Sequence, residues 1–225
     1  MQLRWRGTAA KPIVVEGAPG ERRPVLVGNR RQNVLNLDGS HFRLAHLELR
    51  GGSHGLRLGR VADATLTGLV LHDLGDVGIS CNRPGQGCRR VTIRRSLIYD
   101  TGRAGTPGEG IYVGCQDASC SFDDGRIEDN VVHDTGGSQG DGIELKPGSG
   151  NNLVRRNVVC RTHFPGLTIW GPHGRGALDT VEDNVVAESG PPEIKVFGRA
   201  RLRRNSVLRS ARLPGARACR REAGG

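Results

Sequence analysis

Arg126-Ile127-Glu128-Asp129-Asn130-Val131-Val132-His133 is the stretch on which the fold turns. A short apolar strand runs into a charged pair and an Asn, and a second apolar strand leaves it. The form recurs around Asn157, Asn184 and Asn205, while earlier copies carry His46, Gly68 and Ser96 at the Asn position. These seven positions lie 22, 28, 34, 27, 27 and 21 residues apart. Six further strands precede them, often led by Gly: Gly55–Gly59, Gly78–Asn82, Gly110–Gly114, Gly142–Lys146, Leu167–Gly171 and Ile194–Gly198. Regular strands at irregular spacing mean one coil per repeat with loops of variable length between strands, the pattern of a parallel β-solenoid.

Strand alternation then assigns faces. Ile143 and Leu145 point inward, and Glu144 and Lys146 point out. One coil cannot bury its own apolar side, but coils stacked about 4.8 Å apart share a continuous core. Asn at the corner suits a side-chain amide that bonds the next coil. Gly is expected to supply positive φ angles at the corners. Charge gives an independent check, because the pairs before the Asn column read Arg94-Arg95, Glu128-Asp129, Arg155-Arg156, Glu182-Asp183 and Arg203-Arg204. In a stack these alternating signs face one another across the ladder.

Composition agrees. The 225 residues include 35 Gly and only 4% aromatics, and Gly and Pro interrupt nearly every window long enough for an amphipathic helix. No strict Gly triplet period exists, which excludes collagen, and no uncharged apolar run is long enough to span a membrane. The formal charge is +10, with only three Lys (Lys11, Lys146, Lys195) among 33 basic residues. A polyanionic partner is the sharper reading of that surplus and Arg-favouring codon usage the plainer one. Nucleic acid is disfavoured, because the basic residues are spread along the chain and few aromatics exist for stacking.

Cys81 and Cys88 bracket NRPGQG, Cys115 and Cys120 bracket QDAS, and Cys160 and Cys219 remain as a third pair that would tether the tail over 211–225. Even count and short brackets favour disulfides over zinc, since no CxxC pair is present. The expected compartment is therefore extracellular or periplasmic, although Met1–Arg6 lacks the apolar segment of a signal peptide.

GEGIYVG at 108–114, GDGIELKPGSGNNLVRRN at 140–157 and GTAAKPIVVEGAPGERRPVLVG at 7–28 resemble right-handed parallel β-helix proteins of the pectate-lyase-like superfamily. The resemblance covers about residues 7–210. It implies an all-β right-handed parallel β-helix of about seven coils, with repeats over 29–210 behind a first coil over 1–28. That first coil is expected to be truncated, since such proteins usually carry a further strand and cap ahead of it. A monomer acting on an acidic, uronate-containing polysaccharide by β-elimination is expected.

The candidate surface is the outward side of the first strand across the middle coils. Ser80, Asn82, Tyr112, Glu144, Lys146, Thr168, Trp170 and Lys195 are expected to be neighbours there, with His54, Val77, Glu109 and Asp141 in the preceding column. Lys146 stands out in an Arg-rich chain, because Arg cannot give up its proton near neutral pH and Lys can. Elimination needs such a base, and Tyr112 is the candidate acid. The resemblance implies a cation for the developing charge, and Glu109, Asp141 and Glu144 offer hard oxygens for Ca²⁺ on neighbouring rungs. Asn82, Glu109, Asp141, Trp170, His173 and Lys195 are the candidate sugar-binding residues. For Trp170, packing beneath the His173 loop is an equal reading. Glu144 and Lys146 as an exposed ion pair without function, a hydrolase using Glu109 with Glu144 or Asp141, and a non-catalytic glycan-binding solenoid remain alternatives. His72-Asp73 and His133-Asp134 are expected to bond locally in turns. Asp100-Thr101-Gly102 and Asp134-Thr135-Gly136 are read as parts of the coil.

Overall fold

The structure is a computed structural model, and it describes residues 1–208 other than 19 and 175. The 211–225 tail and Cys219 lie outside the described residues. Every strand pairing is parallel, and each coil carries strands on three faces.

On the first face the strands run from Gln2–Arg6 through the starts of Leu35–Ala45 and Leu56–Thr67. Ile79–Cys81, Ile111–Val113, Ile143–Leu145, Leu167–Ile169 and Ile194–Val196 follow. The inward residues of the five strands from Leu56 to Ile169 are essentially inaccessible to solvent, as the period-two alternation requires. In the early coils one long strand passes from the first face to the second without a break. From the Ile79 rung onward that corner opens into inserts instead, one closed by Cys81–Cys88 and the next holding Cys115–Cys120. Eight strands stack on the third face, from Val25–Val27 of the opening coil to Ser206–Leu208. Cys160 is wholly buried in this stack.

The amide column is continuous. Asn130, Asn157 and Asn184 each donate Nδ2 to the Oδ1 of the next Asn at 2.9–3.0 Å, and that same Oδ1 accepts their own backbone N–H. Ser96 continues it upward, its N–H donating to Asn130 and its Oγ accepting from Leu69 N–H. His46 and Gly68 are therefore one residue out of register. The Val70 rung pairs Leu97 and Glu48, which places Leu47 and Leu69 in the column. Both are buried, so apolar packing replaces the amide ladder in the first coils.

His46 and Gly68 belong instead to a corner column of left-handed residues, with Arg95, Asp129, Arg156, Asp183 and Arg204, all at φ between 47° and 62°. A second such column runs His41, Asp63, Arg90, Asp124, Asn151, and a third Asp73, Asp100, Asp134, Arg161, Glu188. The left-handed conformation is unfavourable for residues with a Cβ. Successive members pair across rungs, Arg156 forking onto Asp129 at 2.7 and 2.8 Å and Arg204 onto Asp183 likewise. The expected sign-alternating ladder is present, and Glu128 pairs in register with both Arg94 and Arg155.

Many corners thus do not need Gly. The strand-leading glycines answer to close approach instead: a Cβ on Gly142 would sit 2.2 Å from a Val159 methyl carbon and 2.5 Å from the Gly166 carbonyl oxygen.

A shorter amide row at the neighbouring corner ends on an acid. Asn152 N–H and Nδ2 both donate to Asp179 Oδ1, at 3.0 and 2.9 Å. The other Asp179 oxygen has no partner among the described residues. Burial pushes this carboxyl up to about 6, despite the Asn152 hydrogen bonds. Its folded pKa lies above the unfolded value of about 3.9, so its stabilising contribution is full below about pH 4 and is lost as pH rises through about 6. Asp179→Asn is expected to stabilise the protein by about 1–3 kcal/mol at pH 8 and by almost nothing at pH 4. Paired urea melts at the two pH values check this.

Candidate active site

Register on the first face brings Arg57, Ser80, Tyr112, Glu144, Thr168 and Lys195 into one outward column. Two residues further along each strand lie Asn82, Gly114, Lys146, Trp170 and Phe197. Gly114 is required at its position: its φ is +87°, and a Cβ there would press on the Lys146 Cβ and the Ser149 hydroxyl.

These columns form a connected polar cluster, and it is not exposed. Glu144 and Lys146 are 3% and 5% accessible, so their pair is a buried one. Alternation turns both away from the core, but neighbouring side chains then cover them. Lys146 Nζ lies 2.7 Å from Glu144 Oε1 and donates to Gln116 Oε1 at 2.8 Å. Gln116 is exposed on the Cys115–Cys120 loop and caps the ammonium from solvent. The Tyr112 and Trp170 rings stand 4.9 and 5.4 Å from Nζ. Trp170 Nε1–H donates to Glu144 at 2.9 Å, and its ring stacks on Phe197 at 3.9 Å. Trp170 is thus half-buried by Phe197 and Glu144.

Glu109 and Asp141 approach from the preceding column. One carboxylate oxygen from each of Glu109, Asp141 and Glu144 lies within 4.8 Å of the others. Asp141 accepts from the Thr168 hydroxyl. Both Glu109 oxygens and Glu144 Oε2 are buried without a hydrogen-bond partner among the described residues. Burial, with Glu144 and Asp141 close by, pushes Glu109 up to about 8, and burial pushes Asp141 up to about 7. Partnerless carboxyl oxygens converging from neighbouring rungs fit a hard divalent cation such as Ca²⁺, whose charge would offset the burial that favours their protonated forms. Burial, followed by the charges of Glu144 and Glu109, also drives the Tyr112 phenol well above its ordinary range, so it keeps its proton.

The remaining candidates lie around this centre. Lys195 Nζ sits over the Phe197 ring at 4.4 Å, and its charge acts on Asp141. Asn82 accepts from Arg57 Nε at 3.1 Å, and His173 is exposed on its loop. His72 and His133 bond the adjacent Asp73 and Asp134 at 2.7 Å and stack on either side of Tyr99 on the third face, away from the cluster. Thr101 and Thr135 donate their hydroxyls to the Gly108 and Gly140 carbonyls, so both Asp-Thr-Gly triplets are coil elements.

Sequence reasoning missed three features. Gln116 and Phe197 were hidden because their roles depend on loop conformation. The third is a row from Asp76 through His54 to Ser80, with His54 Nε2 at 3.3 Å from Asp76 and Nδ1 at 2.9 Å from the Ser80 hydroxyl. Burial alone would raise the Asp76 carboxyl, but hydrogen bonds from His54, Gly108 N–H and Thr106 hold it below its ordinary range. Ser80 is wholly buried, so the row braces the face and presents no accessible nucleophile.

The sequence matches no protein-family model and no curated protein. Among solved structures, the alginate lyase from Paenibacillus sp. str. FPU-7 aligns with 92% of this chain and 89% of its own, at a TM-score of 0.67 and 20% identity. The chain folds as a right-handed parallel β-helix. Pectate lyase Pel9A shares this β-helix at a TM-score of 0.58 and 14% identity, over 93% of this chain and 64% of that one. At these identities the likeness establishes the β-helix. No helix among the described residues is long and apolar enough to cross a membrane, and two disulfides, Cys81–Cys88 and Cys115–Cys120, staple the inserts beside the cluster.

Proposed function

We propose that this β-helix is a polysaccharide lyase, cleaving a uronate-containing chain by β-elimination outside the cytoplasm. The observation that carries the reading is the cluster itself. A lysine ammonium lies between two aromatic rings, with a proton-bearing phenol and three convergent carboxylates, on the insert-walled face of a fold shared with two lyases. The two disulfides agree with an oxidising compartment.

In that reaction the base takes the proton beside the uronate carboxylate, the electron pair forms the carbon–carbon double bond, and the bond to the leaving sugar oxygen breaks. Lys146 Nζ accepts the proton as a neutral amine, which requires Gln116 to yield its place and the ammonium beside Glu144 first to release its extra proton to solvent. Tyr112 gives its proton to the departing oxygen. Glu109, Asp141 and Glu144 would hold a divalent cation, which supplies charge stabilisation for the substrate carboxylate. Half-buried Trp170 offers a ring edge against the sugar. An inverting hydrolase is disfavoured, because its carboxyl groups stand about 6.5–9.5 Å apart, wider than the 4.8 Å cluster.

Incubation with alginate, polygalacturonate and glycosaminoglycans tests the proposal. Ultraviolet absorbance from unsaturated uronate ends is the expected result, reduced by a chelator and restored by Ca²⁺. New reducing ends without that absorbance would make the protein a hydrolase, and binding without either would make it a glycan-binding solenoid.

A further inference from the structure

Four guanidinium groups gather at the N-terminal end of the same corner. Arg4, Arg6, Arg60 and Arg83 line a groove of about 900 Å³ with Gln2, Gln86 and Asp38, over a floor of Gly39, Ser40 and Ala62. The groove exists because that floor carries almost no side chain. At other corners several arginines are each matched by a carboxylate: Arg90 on Asp63, Arg156 on Asp129, Arg161 on Asp134, Arg204 on Asp183. Among the described residues the groove's sole lining carboxylate is Asp38, already accepting from Gln2 Nε2 at 2.6 Å and Arg60 N–H at 3.0 Å, with Arg83 at 3.9 Å. Arg4 and Arg6 form no salt bridge with a carboxylate among the described residues.

Position joins this groove to the cluster. Arg83 follows Asn82 on the insert of the Ser80 rung, next to the Tyr112 rung. Arg4 pairs in register with Asp38, and its strand lies four rungs from Tyr112, about 20 Å along the axis. Guanidinium forks match carboxylates in geometry as well as charge. We propose that the arginine groove is an extended binding site for the anionic chain, taking the carboxylates of uronate residues several sugars away from the bond that is cut. The assignment rests on the lyase reading for its direction, not for its charge. It implies a preference for long oligomers over short ones, because a trimer seated at Lys146 does not reach Arg4.

The test uses the full chain carrying Lys146→Ala, so that substrate is bound and not consumed. It is titrated with uronate trimers, with long alginate and polygalacturonate oligomers, with a neutral galactan and with a DNA duplex. Adding Arg4→Ala and Arg6→Ala, both on the far strand, should weaken the long uronate oligomers about tenfold or more and leave the trimers unchanged. Should Lys146→Ala not fold, the unsubstituted chain gives the same comparison as KM on polymer against KM on trimer. The proposal is overturned if long-oligomer affinity survives both arginine substitutions, if trimers weaken equally, or if DNA binds as tightly with the same arginine dependence. The two readings fail separately. Arginine-dependent binding without any unsaturated product sinks the lyase and keeps the groove, while cleavage with an unchanged polymer KM does the reverse.

Discussion

Replacing Lys146 by Arg is expected to lower the rate of elimination by about 10²–10⁴-fold while the protein still melts cooperatively. Arginine keeps the positive charge beside Glu144, so the buried carboxylate is not stranded, but a guanidinium does not accept the substrate proton. Lys146→Ala should be as inactive and also less stable, because it leaves the Glu144 charge buried without its cation. Tyr112→Phe keeps the ring that faces Nζ and removes only the phenolic proton, so it should lower the rate without changing the melting curve. The readout is unsaturated-uronate formation on whichever polymer the unsubstituted protein cleaves. Full activity in Lys146→Arg would show that another group is the base.

The largest loss of stability is expected from Asn157→Ala. Asn157 accepts from Asn130 N–H and Nδ2 and donates to the Ile127 carbonyl and to Asn184 Oδ1. Its removal leaves the buried Asn130 N–H without its acceptor, takes one of two acceptors from Asn130 Nδ2 and takes a donor from the Ile127 carbonyl, in the middle of the ladder. At roughly 1–3 kcal/mol for each such group, the cost is about 4 kcal/mol, or about 10 °C in melting temperature. Arg156 next to it is exposed, and Arg156→Ala should move the melting temperature little. A thermal melt of the two variants side by side makes the comparison. Equal shifts would mean that the Asn ladder adds nothing beyond the ordinary pairing of the coils.

Much of this fold is legible in the residues. The Asn column from Asn130 to Asn205, the inward Ile and Leu pairs and the alternating Arg and Glu-Asp pairs follow from spacing alone, because each repeats once per coil. The phase fails in the early coils, where Leu47 and Leu69 take the amide positions and the neighbouring His46 and Gly68 look more like corner residues. No local pattern separates the two choices there. Pairing between rungs does so, Val70 lying against Leu97 and Glu48, and Leu69 N–H donating to Ser96, 27 residues ahead. Gly was read as the source of positive φ, yet Asp, Arg and His fill many of those positions.

For the site, alternation places Tyr112, Glu144, Lys146 and Trp170 on one outward face, and the structure joins them into one cluster. Their burial was not legible. Outward on a strand means away from the core, and whether solvent then reaches a residue depends on what folds back over it. Gln116 caps Lys146 from 30 residues away, Trp170 reaches Glu144 from the next rung, and Phe197 covers Trp170 from the rung beyond. The Gly excess has the same division. That the chain must be a turn-rich stack of short strands is set by composition and period, which are local and repeat in every coil. Which outward face becomes a dry, charged site, and which glycines are indispensable, is decided by contacts between rungs that variable inserts separate in sequence and only stacking brings together.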